Sequence, residues 1–203
     1  MSIDARYAAL RGTIDAVVIG TSAGCVLALK EVLPVLSATL SVPVIVVLHL
    51  PADKKSLLPE MFGASCAVRV VEVEDHEALG PGIYFAPPGY HVVVDSRHHL
   101  ALTLDEPVNF SRPSIDVLFE SAALVFGKRL LAVLLTGASA DGAAGLEAVR
   151  ALGGVVVVQT PATASSGAMP AAALARLVPD HLLDLGDIAV LIDAAGSAVG
   201  ASA

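Results

Sequence analysis

The most constraining feature of the sequence is the pentapeptide Gly20-Thr-Ser-Ala-Gly24, which follows an apolar run at residues 16–19. The run predicts a buried strand, the pentapeptide a tight turn, and the residues from about Gly24 a helix. G-x-S-x-G is the pattern of a nucleophile elbow, in which small residues let the strand and the helix pass closely around an exposed serine. The helix N-terminus behind Ser22 would present free N–H groups, which suit a developing oxyanion or a bound phosphate equally well.

A dinucleotide-binding turn is the rival interpretation of this segment. Such a turn requires G-x-G-x-x-G and an acidic residue about 20 positions further on. Here the two glycines are four residues apart, and the next apolar run leads to His49 rather than to a carboxylate. Nucleotide binding is therefore disfavoured.

The rest of the chain predicts an α/β fold. Apolar, strand-like runs alternate with helical patterns; the runs lie at 44–50, 130–135 and 155–159, and the helical patterns at 115–126, 143–152 and 169–177. Only 4% of the residues are aromatic, so the core must consist mainly of Val, Leu, Ile and Ala, which is typical of parallel strands covered on both faces. We predict one domain over residues 1–203, a doubly wound, mainly parallel sheet in a Rossmann-like three-layer sandwich.

Three local patterns add detail to this prediction. Between residues 68 and 106 short strands alternate with turns, which predicts an antiparallel hairpin region at one edge of the sheet. Pro51 and Asp53 predict a turn and an N-cap before a short helix toward Phe62, and Ser114 predicts the N-cap of the helix at 115–126. Residues 196–203 are expected to fray.

Charge and hydropathy argue against several classes of function. The formal net charge is −8 and no Lys/Arg cluster is present, so nucleic acid is disfavoured as a partner. The longest apolar runs, such as residues 42–48, are too short to cross a bilayer. The N-terminus lacks the basic start and apolar core of a signal peptide. We therefore expect a cytoplasmic protein without membrane insertion.

Neither the cysteines nor the histidine pair suggests a metal or a cofactor. Cys25 and Cys66 form no disulfide framework and have no metal-ligand spacing, and His98-His99 lacks Cys or acidic partners at such a spacing. We predict that the protein uses neither metal nor cofactor. Cys25 lies in the first helical turn, where a thiol pKa can fall, so it is a formal rival nucleophile, although a small packed residue is commoner there.

Ser22, His49 and Asp141 each stand at or just after the carboxyl end of a predicted strand. Open parallel sheets gather functional groups at that edge. A serine needs a base to take its proton, histidine is the commonest such base, and a carboxylate orients the histidine. Taken singly, Ser22 and Asp141 would be N-caps and His49 a packed residue; together they predict a catalytic triad.

The order Ser…His…Asp differs from the Ser…Asp…His order of α/β-hydrolases. The chain also contains the segments Ile19-Gly-Thr-Ser-Ala-Gly24, Val46-Val-Leu-His-Leu-Pro51, Arg112-Pro-Ser-Ile-Asp-Val-Leu-Phe119, Leu135-Thr-Gly-Ala-Ser-Ala-Asp-Gly142 and Gly167-Ala-Met-Pro170. Together these motifs resemble the catalytic domain of the CheB family, the chemotaxis protein-glutamate methylesterases. The resemblance covers about residues 15–177 in register.

This resemblance implies a serine hydrolase that cleaves glutamate γ-methyl esters on the cytoplasmic helical region of chemoreceptors, with glutamine deamidation as a second activity. Carried over by position, Ser22 is the nucleophile, His49 the general base and acid, and Asp141 the orienting carboxylate. The oxyanion donors would be the backbone N–H groups of Ala23 and Ala138.

The chain departs from the usual family pattern at Ala23, Cys25 and Ala138-Ser139. A catalytically inactive, CheB-like binding or scaffold module is therefore the alternative. Two-domain family members carry an N-terminal receiver domain, whereas only about 14 residues precede the first predicted strand here. We expect no receiver domain, and control, if any, by a receiver or kinase protein acting in trans.

Overall fold

The structure, a computed structural model, describes residues 7–50 and 56–197. Nine strands are present in these ranges: β1 Ala16–Thr21, β2 Pro43–Leu48, β3 Val70–Glu72, β4 Gly82–Phe85, β5 His91–Ser96, β6 His99–Thr103, β7 Leu130–Leu134, β8 Val155–Gln159 and β9 His181–Leu183. Seven of them form one sheet in the order β3-β4-β2-β1-β7-β8-β9. Every neighbouring pair in that sheet is parallel, so the carboxyl ends of all seven strands lie at one edge.

The described ranges also contain six α-helices: α1 Cys25–Val32, α2 Leu58–Gly63, α3 Ile115–Phe126, α4 Ala143–Ala151, α5 Ala168–Leu174 and α6 Leu185–Gly196. One apolar core lies between the sheet and α1, α2 and α6. The other lies between the opposite face and α3, α4 and α5. Val17 and Ile19 face the first core while Ala16 and Val18 face the second, which explains why the central strands are continuously apolar.

The predicted α/β, doubly wound fold class is thus confirmed, but the prediction for residues 68–106 needs correction. The strands β3 and β4 are parallel members of the main sheet, and only β5 and β6 form an antiparallel pair, which packs on α3 rather than joining the sheet. All four residues of β4 are buried, because its two faces are covered like those of the central strands. Its short length alone made it resemble a hairpin strand.

Three smaller points complete the comparison with the sequence. The strand β9 was not predicted, because its three residues lie at the sheet edge and are partly exposed. The predicted turn at Pro51 and Asp53 and the end of the chain from residue 198 lie outside the described residues. Within the described residues, no helix has both the length and the apolarity needed to span a membrane.

Candidate active site

The three predicted site residues lie at the carboxyl edge of the sheet. Thr21, the last residue of β1, pairs with Leu48, the last residue of β2, so Ser22 and His49 follow equivalent positions of adjacent strands. Adjacent strands are about 4.8 Å apart. Asp141 ends the loop that follows β7, the other neighbour of β1. The topology therefore brings all three residues to the centre of one edge.

The elbow depends on close packing against Gly20. A Cβ atom at Gly20 would lie 2.3 Å from Cγ2 of Ile115 and 3.1 Å from Cζ of Phe119, so only glycine lets α3 pack on this strand. Gly24 has φ 84° and begins α1, a left-handed conformation that favours glycine. Both glycines of the sequence motif thus have the steric role that the motif predicts.

Thr136 fixes the elbow to the loop after β7. Its carbonyl oxygen accepts the N–H of Ser22 at 2.9 Å and the hydroxyl of Thr21 at 2.9 Å. Its own hydroxyl donates to the carbonyl of Ala23 at 2.8 Å, and its N–H donates to the side-chain oxygen of Gln159 at 2.8 Å. Thr136 was not predicted as a site residue, since nothing in the sequence shows that these loops meet.

His49 and Asp141 are in direct contact. Nε2 of His49 lies 2.8 Å from Oδ2 of Asp141, and the side chains are 16% and 0% exposed. Burial by itself raises the pKa of Asp141, but hydrogen bonds to its two oxygens, led by that from His49, outweigh burial and lower the pKa from 3.8 to about 2. The ionised carboxylate only accepts hydrogen bonds. Nε2 therefore carries the proton, and Nδ1 of His49 keeps the lone pair that a general base needs.

Five hydrogen bonds converge on Asp141. The donors are Nε2 of His49 at 2.8 Å, the N–H of Ile115 at 2.7 Å, Oγ of Ser114 at 2.8 Å, Nδ2 of Asn109 at 2.9 Å and the N–H of Asp116 at 3.2 Å. The carboxylate thus caps the N-terminus of α3, where free N–H groups and the helix dipole favour negative charge.

Helices α3 and α4 cap one another. Asp141 precedes α4 but caps α3, while Asp116 in the first turn of α3 accepts the N–H of Gly145 in α4 at 2.6 Å. Ser114 occupies the N-cap position of α3, as predicted, but its hydroxyl donates to Oδ1 of Asp141 instead of accepting an N–H of its own helix. A Cβ at Gly145 would lie 2.6 Å from Cβ of Phe119, so this glycine allows the two helices to approach.

Asn109 and Asp116 are two further residues of this network that sequence reasoning missed. The amide nitrogen of Asn109 lies 2.9 Å from Oδ1 of Asp141 and 2.8 Å from Oδ2 of Asp116. Burial raises the pKa of Asp116, and the negative charge of Asp141 raises it further against the opposing hydrogen bonds. No local sequence pattern marks Asp116 or Asn109 as part of this network.

Ser22 and His49 share no hydrogen bond in this structure, and the Ser22 hydroxyl makes none within the described residues. In free enzymes the hydrogen bonds used in catalysis are often long or poorly aligned and shorten when substrate binds. The rival nucleophile Cys25 is half-buried, and burial raises the pKa of its thiol despite weaker opposing backbone hydrogen bonds. A protonated thiol is a poor nucleophile, which disfavours Cys25.

The N–H groups of Ala23 and Ala138 are available to a ligand, since neither donates a hydrogen bond within the described residues. The N–H of Ser22 is bonded to Thr136, and that of Gly137 donates to the carbonyl of Ser166 at 3.0 Å. Of these four N–H groups, only the two predicted oxyanion donors are therefore without an acceptor among the described residues.

A pocket of about 470 Å³ opens beside His49, and its walls include Leu50, Pro107, Phe110 and Arg112.

A second pocket, of about 410 Å³, lies at the opposite edge of the sheet, where Arg97 and Arg129 both bind the carboxylate of Asp15. Among the described residues, no group of three or more His, Cys, Asp or Glu side chains could hold a metal ion.

Comparison with known proteins identifies the family. The family described as CheB methylesterase matches residues 17–192. The chain belongs to the CheB methylesterase family. The crystal structure of the Thermotoga maritima CheB methylesterase catalytic domain superimposes with a TM-score of 0.84 at 27% identity, over 88% of this chain and 97% of that one.

The curated relatives of this CheB methylesterase family member differ in how much of their own length the chain matches. A protein of Leptospira interrogans, provisionally named a protein-glutamate methylesterase/protein-glutamine glutaminase, is 40% identical over 87% of this chain and 92% of its own length. Proteins with that name from Paramagnetospirillum magneticum and Halalkalibacterium halodurans are 37% and 36% identical, over 47% and 50% of their lengths. The chain therefore spans about half the length of these two relatives. The family predicted from the motifs is confirmed.

Proposed function

We propose that this CheB methylesterase family member hydrolyses γ-methyl esters of glutamate side chains on chemoreceptors and releases methanol. The observation that carries the proposal is the 2.8 Å contact between His49 and the ionised Asp141. It leaves Nδ1 of His49 as a base directly after β2, the strand that pairs with the strand before Ser22. Family membership and the names of the relatives supply the substrate class.

In the proposed reaction, the Ser22 hydroxyl oxygen attacks the ester carbonyl carbon while His49 takes its proton. The N–H groups of Ala23 and Ala138 donate to the resulting oxyanion. When the intermediate collapses, the C–O bond to the methoxy group breaks and His49 protonates the departing methanol. Water then attacks the acyl-serine with His49 again as base, which regenerates Ser22 and leaves a glutamate carboxylate.

Glutamine deamidation is a second activity of the same proposed site. An amide follows the same route with ammonia as the leaving group, so no additional residue is required. The combined methylesterase and glutaminase name of the relatives supports this extension.

A catalytically inactive binding module is the alternative function. The observation that favours it is the missing hydrogen bond between Ser22 and His49. Both functions require that the carboxyl edge of the sheet bind a receptor, but only the first requires chemistry there.

The setting of the proposed reaction follows from its substrate. We propose that the matched region, residues 17–192, acts as a single catalytic domain in the cytoplasm, on the cytoplasmic helical region of its receptor. Neither a metal nor a cofactor takes part in the proposed steps.

The experiment is to incubate the purified chain with receptor methylated on its glutamates and to measure methanol. A parallel incubation with unmethylated receptor that retains its glutamines measures ammonia. Catalytic methanol release supports the esterase. Binding of the methylated receptor without methanol release would instead support the scaffold.

A further inference from the structure

Residues 108–111 form a tight turn of unusual composition. Val108 and Ser111 exchange two backbone hydrogen bonds, of 3.2 and 2.9 Å. The two residues between them, Asn109 and Phe110, have φ values of 51° and 62°. Two central residues with positive φ are characteristic of the type I′ turn, whose preferred sequence is Asn-Gly. Phe110 thus stands where glycine is favoured.

Phe110 has no structural compensation for this conformation. Bulky side chains rarely adopt positive φ, and residues held in such conformations cluster at functional sites. The ring of Phe110 is fully exposed, at 104%, so it contributes nothing to either apolar core. Asn109, by contrast, has an evident role, because its amide binds both Asp141 and Asp116.

The position of Phe110 indicates what it could contact. It lines the pocket beside His49. Half of the other residues that line this pocket are apolar, and Arg112 adds a cation. No Asp or Glu among the described residues lines this pocket, although the chain as a whole has a net charge of −8. A protein segment whose glutamates are only partly methylated is acidic. The pocket therefore matches such a segment in charge and offers apolar contact as well.

We propose that Phe110 is a specificity-determining residue that docks the protein substrate, its ring packing on an apolar side chain next to the methylated glutamate. This inference rests on the proposed esterase function. Asn109 joins the turn to Asp141, so a substrate docked on Phe110 is positioned relative to the carboxylate that orients His49. A small ester, which lacks the flanking segment, would not gain from this contact.

The test compares two substrates, methylated receptor and the γ-methyl ester of N-acetylglutamate. Phe110→Ala removes the ring, and Phe110→Gly also supplies the residue that the turn prefers. The matched control is Leu124→Ala, another exposed apolar residue (78% exposed), on α3. Truncation of an aromatic residue that anchors an interface typically weakens binding at least tenfold. We expect both Phe110 variants to lower the ratio of kcat/KM for receptor to kcat/KM for the small ester at least tenfold, mainly through KM, and Leu124→Ala to leave it unchanged.

Two results would overturn the docking role alone. One is a wild-type enzyme that hydrolyses both substrates while the Phe110 variants keep the wild-type ratio to within twofold. The other is a Phe110→Gly variant whose Tm falls by more than about 3 °C, a loss of about 1 kcal/mol for a chain of this size, because it would mean that the ring packs on the fold. A wild-type chain that releases no methanol from receptor would remove the proposed function, and the docking role with it.

Discussion

Oδ2 of Asp141, the atom that faces His49, also accepts the N–H of Ile115 at 2.7 Å. The carboxylate proposed to orient the catalytic base therefore also accepts free N–H groups at the N-terminus of α3. The orientation of His49 and the hydrogen bonds to the N-terminus of α3 both require that the Asp141 carboxyl be ionised, so both depend on the same negative charge. The position of the site thus depends on the packing of two helix N-termini rather than on its own loop.

Asp141→Asn is expected to impair both catalysis and stability. In the wild type both carboxylate oxygens of Asp141 accept hydrogen bonds. In the Asn variant an NH₂ group replaces one of these oxygens, so the hydrogen bonds to that oxygen are lost and His49 adopts the wrong tautomer. We expect kcat to fall by up to about 10⁴ and the free energy of unfolding to fall by about 1–3 kcal/mol. Methanol release and urea unfolding measure the two effects.

The control for that variant is Asp95→Asn, which changes an exposed carboxylate on β5. Asp95→Asn should leave both kcat and the free energy of unfolding unchanged. An Asp141→Asn variant with wild-type kcat would exclude the orienting role, even if its stability were reduced.

The lowered pKa of Asp141 predicts how stability depends on pH. A carboxylate whose pKa is lower in the folded than in the unfolded state stabilises the fold above the unfolded value, and this contribution is lost as pH falls through the folded value. The change from 3.8 to about 2 corresponds to about 2 kcal/mol.

Urea unfolding of the wild type and of Asp141→Asn from pH 2 to pH 7 measures this contribution. The difference between the unfolding free energies of the wild type and the variant should be constant above about pH 5, where the carboxyl of unfolded Asp141 is ionised. The same difference should become smaller by about 2 kcal/mol as the pH falls to 2. A difference that does not change with pH would contradict the hydrogen-bonding account of Asp141.

Much of the fold and part of the site could be predicted from the sequence. The place of Ser22 and His49 at one edge of the sheet was predictable because the continuous apolar runs mark parallel strands, whose carboxyl ends meet at one edge. Asn109 and Thr136 could not be found that way. Their roles depend on contacts between segments that are distant in sequence, such as Asn109 with Asp141, 32 residues away, and no local periodicity records those contacts. The N-cap position of α3 at Ser114 was predicted, but the carboxylate that accepts the free N–H groups of this helix comes from Asp141, which is distant in sequence.

Gly20→Ala is expected to destabilise the elbow. The added Cβ would lie 2.3 Å from Cγ2 of Ile115, and overpacking of this kind costs about 1–3 kcal/mol. We expect Tm to fall by roughly 3–10 °C and activity to fall with it. The matched control is Gly63→Ala at the end of α2, where nothing lies within 4 Å of the added atom; its Tm should not fall. Equal Tm values for the two variants would contradict the packing argument.

Chelators are expected to leave activity unchanged. The proposed steps take their base from His49 and their oxyanion donors from backbone N–H groups, so no Lewis acid is needed. Methanol release after dialysis against EDTA should equal that of untreated protein. Activity that is lost in EDTA and restored by a divalent cation would require a different mechanism.

The central claim is that Ser22 is the nucleophile of an esterase, and the most direct measurement is methanol release from methylated receptor by the wild type and by Ser22→Ala. The substitution removes one hydroxyl, on a partly buried residue, that has no hydrogen bond within the described residues, so the fold and Tm should be retained. Loss of such a nucleophile typically lowers kcat by about 10⁴ to 10⁶. We predict catalytic release by the wild type and none measurable by the variant; a folded Ser22→Ala protein that keeps more than roughly a tenth of the wild-type rate would contradict the claim.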